Sequence, residues 1–577
     1  MTHLLRLFFS FCRHRLGYRS PAALLLLALS ACASSSPPTP LASSSDMAMG
    51  SYLAAQHARR SGDTTAAANY FLDAIAADPD NVLLLQQGFS YAVADGRYSD
   101  AKRIAERLAD TDMNYSLPEL FLVLHQIKDG HYGKALDKLQ RVPDAGLNRL
   151  LKPLVQAWVL VGMKKTDDAL MVLEPLRETP AFMPFLLNHR AFLLDYADDP
   201  RAAAMYADVA AADRYGSLRA VIGHAGLLTR QGKKDEALAV IAAASKRFPQ
   251  AASIKLAAAR AAAGELGGKV INSPADGIAE AFYSGASALA QESAAGLAAF
   301  HLRLALYLKP DFAEARLLLA NLFEQEEQHE AALAIYRTVP DDSDVADQAR
   351  LREVWVLNAL NRTEEALQAV EVLLQRGPDE VEVVAALADL LRQENRHDEA
   401  IAQYTRAIEL SGDAPWSLYY ARAIAFDQAK RWGQAEADLK MALQISPEEA
   451  EVLNYLGYSW VDRGINLKEA EDMIKRAVLA RPDNGYIVDS LGWVLYKLRR
   501  YGEAVEHLER AVLLRPEDPT INDHLGDAYW RVNRRIEARF QWSHALSLKP
   551  TDEQAAALRE KLEHGLNVAA KPRPTKD

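Results

Sequence analysis

A period of 34 residues runs through the end of the chain and constrains its fold more than any other feature. Pro482, Pro516 and Pro550 are 34 apart, and so are Ala470, Ala504 and Ala538. A second alanine precedes each proline by five positions, at Ala477, Ala511 and Ala545. A Leu-Gly pair opens each unit: Leu456-Gly457, Leu491-Gly492 and Leu525-Gly526. The first of these intervals is 35, because Gly464-Ile465-Asn466-Leu467 carries one extra turn residue. A repeat of this length predicts a solenoid of helical hairpins. Gly492 in the first helix and Ala504 in the second let the two helices approach closely. Val488, Leu491, Leu495, Leu508 and Val512 fill the contact at helical spacing. Proline ends the second helix, because it lacks an N–H and clashes with the preceding turn. One hairpin cannot bury its apolar face alone, so neighbours must stack.

Leu491, Gly492, Ala504, Leu508, Ala511 and Pro516, with their equivalents on either side, resemble the tetratricopeptide repeat family. The resemblance implies an all-α fold, a superhelix of stacked hairpins. Weaker units precede the three clear ones. They are marked by Ala435, Ala442 and Pro447; by Ala400, Tyr404 and Ala407; and by Ala366 and Pro378. Ala298, Ala305 and Pro310 mark another, whose first helix holds Ala281-Phe282-Tyr283. Near the start, Ala67, Phe71, Ala74 and Pro79 fit, with Gly62-Asp63 as the turn, and Gly232, Ala237 and Pro249 fit as well. Between Met113 and Gly216 the register drifts, so helix pairs longer than 34 residues are expected there. The whole chain has room for about a dozen to fifteen hairpins at this period.

A cluster of breakers, Gly264-Glu265-Leu266-Gly267-Gly268 followed by Asn272-Ser273-Pro274, interrupts the helices. It is expected to be an elbow dividing an irregular N-terminal arc, 47–263, from a regular C-terminal array, 277–566, with 264–276 as linker. No strand pattern precedes these glycines and no Gly-Lys-Ser/Thr follows, so they are not a phosphate loop. Residues 567–577 are expected to be a disordered tail.

The N-terminus predicts a compartment. Residues 1–31 hold Arg6, Arg13, Arg15 and Arg19 and no acid, then an apolar run from Ala22 to Leu29. That is the pattern of a secretory signal, and the run is too short to span a bilayer. Leu29-Ser30-Ala31-Cys32 resembles the bacterial lipobox, which implies cleavage before Cys32 and lipid, such as palmitate, on that cysteine. Residues 32–46 are then a flexible tether. Ala33 in place of Asp favours the outer membrane in the sorting pattern this resembles. Cys12, the other cysteine, lies in the removed segment, so no intrachain disulfide is expected. The full chain carries a net charge of −11, and losing four arginines leaves −11 − 4 = −15, an unfavourable balance for a general nucleic-acid binder.

Enzyme signatures are absent: there is no His-Glu-x-x-His and no Gly-x-Ser-x-Gly. Fourteen histidines are scattered without a metal pair. Asp341-Asp342-Ser343-Asp344 lacks the glycine and terminal glutamate of a calcium loop and reads as a solvated turn. The chain is therefore expected to be no enzyme and to hold no cofactor or metal.

In the family it resembles, the first helix of each hairpin lines a concave docking surface. That register places Tyr420, Asn454, Tyr458, Asp489, Trp493, Tyr496, Lys497, Asp523, Asp527, Trp530 and Arg531 on the groove. Aromatics beside charges suit peptide binding, because rings supply apolar area and charges fix orientation. Trp493, Tyr496 and Trp530 are the expected anchors. Asp489 and Trp493 stand where chaperone-binding members carry a Lys and an Asn, so their carboxylate clamp is not matched. The lipobox, the long irregular arc and the stretch from Leu453-Asn454-Tyr455-Leu456-Gly457-Tyr458 through Leu491-Gly492-Trp493-Val494-Leu495-Tyr496 resemble the outer-membrane tetratricopeptide lipoproteins of the LbcA type. Those are adaptors for a periplasmic carboxyl-terminal processing protease that degrades cell-wall hydrolases. The implied partners are such a protease and its substrates. Two other readings stay open: a scaffold for envelope polysaccharide or pilus export, and an enzyme with an unrecognised site.

Overall fold

Close contact at a small residue is what makes each hairpin. A Cβ on Gly492 would lie 2.5 Å from Leu508 Cγ and 3.3 Å from the Ala504 carbonyl oxygen, so only hydrogen fits between helices Gly485–Lys497 and Tyr501–Leu514. A Cβ on Gly457 or Gly526 would likewise lie 3.2 Å from the carbonyl oxygen of Ala470 or Ala538. The computed structural model describes residues 44–111, 115–211, 217–248 and 251–566. Among them are thirty α-helices and no strand. Twenty-eight pair into fourteen hairpins, 14 × 2 = 28, and two stand alone: Ala252–Ala263 and the closing helix Asp552–His564. The fold is an all-helical solenoid of the tetratricopeptide type. The first helix, Ser44–Arg60, begins three residues inside the segment expected as tether. The signal segment, Cys32 and the tail lie outside the described residues.

Neighbouring hairpins are tied along the outer face. Arg406, Arg476 and Arg510 each donate to the carbonyl of the proline that closes the hairpin before: Pro378 at 2.7 Å, Pro447 at 2.8 Å and Pro482 at 2.7 Å. A guanidinium thus supplies a donor to a carbonyl just past a helix end, where intrahelical donors have run out.

The expected drift between Met113 and Gly216 is corrected. Residues with left-handed backbone close the turns at Gly62, Gly96, Gly130, Lys164, Asp198 and Gly232, each 34 residues after the last. A fully buried alanine follows five residues later at Ala67, Ala101, Ala135, Ala169 and Ala237. The one slip is Ala202, four residues after Asp198. The hairpins are not longer than 34. Two second helices are short instead, Tyr132–Leu139 and Thr166–Val172, so the second alanine and the proline that mark the end of a full second helix are missing at their register positions.

The breaker cluster does more than divide two arcs. Helix Ala252–Ala263 has the place of a first helix, but Gly264, at φ 77°, ends it and no second helix follows. The chain instead turns back. Helices Pro274–Gln291 and Ala295–Leu308 pack against Val82–Ala94, Ser116–Lys128, Asn148–Gly162 and Met183–Tyr196, which are first helices of the N-terminal arc. Gly277 lies flat against the Trp158 ring, with no room for a side chain. Arg219 binds Glu280 at 2.7 Å and also Glu314. Tyr98 donates to the Arg303 carbonyl at 3.1 Å, and His125 Nδ1 lies 2.8 Å from the Tyr307 hydroxyl. Residues from both sides of the expected boundary therefore share one apolar core. At its open end the first hairpin's turn at Gly62 meets the Gln328 side chain, and Arg260 reaches Asp344 at 3.3 Å.

Candidate functional site

With the first helices of the N-terminal arc covered by the returning pair, the groove positions expected from the register lie on the C-terminal hairpins. A cleft of about 680 Å³ crosses four of them in succession. Helix Trp416–Gln428 contributes Asp427, the turn after it Lys430, and the start of helix Trp432–Ile445 contributes Trp432. Helix Ala450–Arg463 contributes Asn454, Tyr455, Tyr458, Asp462 and Arg463. Helix Gly485–Lys497 brings Tyr486, Asp489 and Ser490, and helix Pro519–Arg531 brings Thr520 and Ile521 behind its capping Asp518.

One wall is rigidly paired. Arg463 binds Asp427 at 2.5 Å and lies 3.9 Å above the Trp432 ring centre. Asp427 also accepts from the Tyr455 hydroxyl at 3.0 Å, and Tyr455 meets the edge of Tyr420 at 5.8 Å. Opposite, Tyr458 is half-buried, and its hydroxyl pKa is pushed up to about 12, first by burial and then by the carboxylates of Asp489 and Asp462. Asp489 is itself buried, 3.0 Å from His524 Nδ1. Burial opposes charge on that imidazole, but Asp489 with Asp523 and Asp527 outweighs it, so the His524 pKa is raised.

The eleven groove positions read from sequence separate into three groups. Tyr458, Asn454 and Asp489 line the cleft, and Tyr420 supports it from behind through Tyr455. Trp493 and Tyr496 form a half-buried stack, 4.8 Å apart, with Trp493 lying 3.9 Å over His524. Exposed Lys497 sits 5.0 Å above Trp493, and exposed Arg531 donates to the Tyr496 hydroxyl at 3.2 Å. The third group is covered by the closing helix Asp552–His564. Lys561 binds Asp523 at 2.6 Å and Asp527 at 2.8 Å, and Asp527 also accepts from Trp542 Nε1 at 3.0 Å. Trp530 packs on Trp542 and against Gly565. Asp527 and Trp530 are therefore held within the end cap, away from the open cleft.

Sequence reasoning missed Asp427, Trp432, Tyr455, Asp462, Arg463 and Tyr486. Trp432 and Arg463 sit beside the turns, outside the positions that the concave register exposes. Asp462 was legible: it follows Tyr458 by four residues on the same helix face. Elsewhere the acidic turn is a structural knot, with Asp341 paired to Arg350 and Arg376. His189 is buried, accepts from Trp158 Nε1 at 3.0 Å and has its pKa pushed down to about 3 by burial, so it is a neutral core residue.

The sequence profile of the tetratricopeptide repeat matches residues 351–415 and 490–542. A tetratricopeptide repeat-containing protein of Pseudomonas aeruginosa is 27% identical over 187 residues, which is 32% of this chain and 31% of that one. A POLLENLESS 3-like protein of Arabidopsis thaliana is 27% identical over 183 residues, 31% of this chain and 40% of that one. The matched stretches thus span less than half the length of these relatives. Among solved structures, the APC/C hetero-tetramer Cut9-Hcn1 aligns over 90% of this chain and 96% of its own at 15% identity, with a TM-score of 0.40. Yeast Tom70 aligns over 90% and 95% at 12% identity, with a TM-score of 0.32. Tetratricopeptide repeats serve as protein-interaction scaffolds and are generally not enzymes.

Proposed function

We propose that this protein is an outer-membrane lipoprotein facing the periplasm, and that it acts as an adaptor bringing protein substrates to a periplasmic protease. The observation that carries the docking role is the open cleft from Trp432 to Ile521, set against an N-terminal groove already occupied by the chain's own hairpin. A surface with aromatic walls, fixed charges and four contributing hairpins suits an extended protein segment better than a compact metabolite. Anchoring rests on the sequence Leu29-Ser30-Ala31-Cys32, and several acyl chains on one cysteine are enough for stable membrane attachment. The protease role rests on the resemblance to lipoproteins of the LbcA type.

The test uses the full chain in its native envelope. Tyr458→Ala with Trp432→Ala is expected to lower capture of a soluble periplasmic protease or its substrates without lowering the melting temperature of the hairpin array. Cys32→Ser is expected to release the protein from membranes. Retention in the outer membrane after a high-salt wash would exclude lipid anchoring at Cys32. Co-purification with membrane channel subunits, and no effect on protease turnover, would replace the adaptor role by an export scaffold.

A further inference from the structure

Within the cleft, one helix face gathers hydrogen-bond acceptors that have no donor. Asn454, Tyr458 and Asp462 follow one another at intervals of four along helix Ala450–Arg463, so they line one face over about 12 Å. The Oδ1 of Asn454 is buried and makes no hydrogen bond. Among the described residues the Tyr458 hydroxyl has no hydrogen-bond partner either, and exposed Asp462 has no hydrogen bond and no ion pair. Asp489 faces Tyr458 from the next hairpin.

Of the other charges around the cleft, Arg463, Asp427, Asp489 and Asp518 are already engaged, and Lys430 makes no ion pair among the described residues. Arg463 is held by Asp427 and Trp432. Asp518 caps its helix, accepting from the Thr520 and Ile521 amides at 2.8 and 3.0 Å. The lining holds four carboxylates, Asp427, Asp462, Asp489 and Asp518, against two cations, Lys430 and Arg463. A buried acceptor without a donor is costly, so a guest that supplies donors removes that cost. The protein shows the same chemistry on its own side chains: Arg463 lies over Trp432, and Arg515 lies 5.2 Å over Tyr486 at the cleft edge.

We infer that the cleft selects an extended protein segment carrying an arginine or lysine, whose cationic head group lies along Tyr458 and binds Asp462 and Asn454. This rests on the reading of the cleft as the docking surface. A guanidinium fits best, because it has five N–H donors and no acceptor and lies flat on an aromatic ring. The preference is opposite to that of a groove built to hold a carboxylate.

The experiment pans a random twelve-residue peptide library against the purified chain at 150 mM salt, with Asp462→Asn and Tyr458→Ala panned in parallel. Wild type is expected to enrich Arg and Lys, and Asp462→Asn to lose that enrichment. For the best recovered peptide, measured by fluorescence anisotropy, Asp462→Asn is expected to weaken binding about tenfold, the scale of a lost hydrogen bond to a charged group. Replacing the peptide's basic residue by Gln should cost the same in wild type and nothing further in Asp462→Asn. Peptides without basic residues that still depend on Tyr458 would overturn the cation preference and leave the cleft as the docking surface. Recovery of no peptide, or of peptides indifferent to Tyr458→Ala, would overturn both.

Discussion

His524 lies between the Trp493 ring and the Asp489 carboxylate, with Asp523 and Asp527 on its own helix. These acids raise its pKa despite burial, so the imidazole is charged in the folded protein to a higher pH than in the unfolded chain. A raised pKa contributes stability that is fully present below the unfolded value, about 6.5, and that is lost as pH rises through the folded value. The melting temperature of His524→Gln is therefore expected to fall furthest below wild type at pH 6 and to converge toward it at alkaline pH. A difference that is flat from pH 6 to 9 would show that the pairing is not ionic. The same residue explains why Asp489 tolerates burial: a buried carboxylate needs a partner, and the repeat before it carries Asn454 at the equivalent position.

At the scale of elements, the returning hairpin Pro274–Leu308 holds the N-terminal arc together through its ion pair. Glu280 is 2% exposed and depends on Arg219. Arg219→Ala strands that carboxylate, which typically costs about 3–5 kcal/mol. Hydrogen exchange is expected to show lost protection in helices from Val82 to Tyr196, with Tyr501–Leu514 unchanged; a uniform loss along the chain would mean the two parts are not separable. The hairpins themselves were legible in the sequence, because Ala504, Ala511 and Gly492 mark helix contacts that admit only small side chains. The 34-residue beat through Lys164 and Asp198 was not, since a left-handed turn is readily recognised only when glycine occupies it. The return of the hairpin was also missed, although its signal was present. Residues 277–282 are buried in succession, and so are 118–124, each interrupted only by one ion-paired glutamate, Glu280 and Glu119. A helix apolar all round is covered on both sides, and the N-terminal first helices lie between their own second helices and the returning pair. The cleft was half legible: its register positions were read, whereas Trp432 and Arg463 enter from helix ends beside the turns.

At the scale of the whole molecule, two kinds of connectivity share one chain. The hairpins from Ala346 to Ser547 make their main helix contacts with adjacent hairpins, as stacked repeats do. The N-terminal unit closes through pairs as distant as Tyr98 with Arg303 and His125 with Tyr307, separated by 205 and 182 residues. Contacts of long separation slow folding, because the loop must close before they form. On refolding from denaturant, pulsed hydrogen exchange is expected to protect helices from Trp416 to Ser547 before those from Val82 to Tyr196. Simultaneous protection would mean that the arc does not wait for its inner hairpin.

That wait has a consequence during synthesis. The arc emerges first, and its inner face is an unlined trough of Leu, Phe and Val until the returning pair arrives. The 45 residues from Gly264 through Leu308 must follow before the trough can be filled. At about 5–20 residues per second, it stays open for about 2–9 seconds in every molecule made. A nascent chain with such an interval is a client for holding chaperones at one defined stage of its elongation, and a premature stop anywhere between Gly264 and Leu308 leaves a product that never leaves that stage.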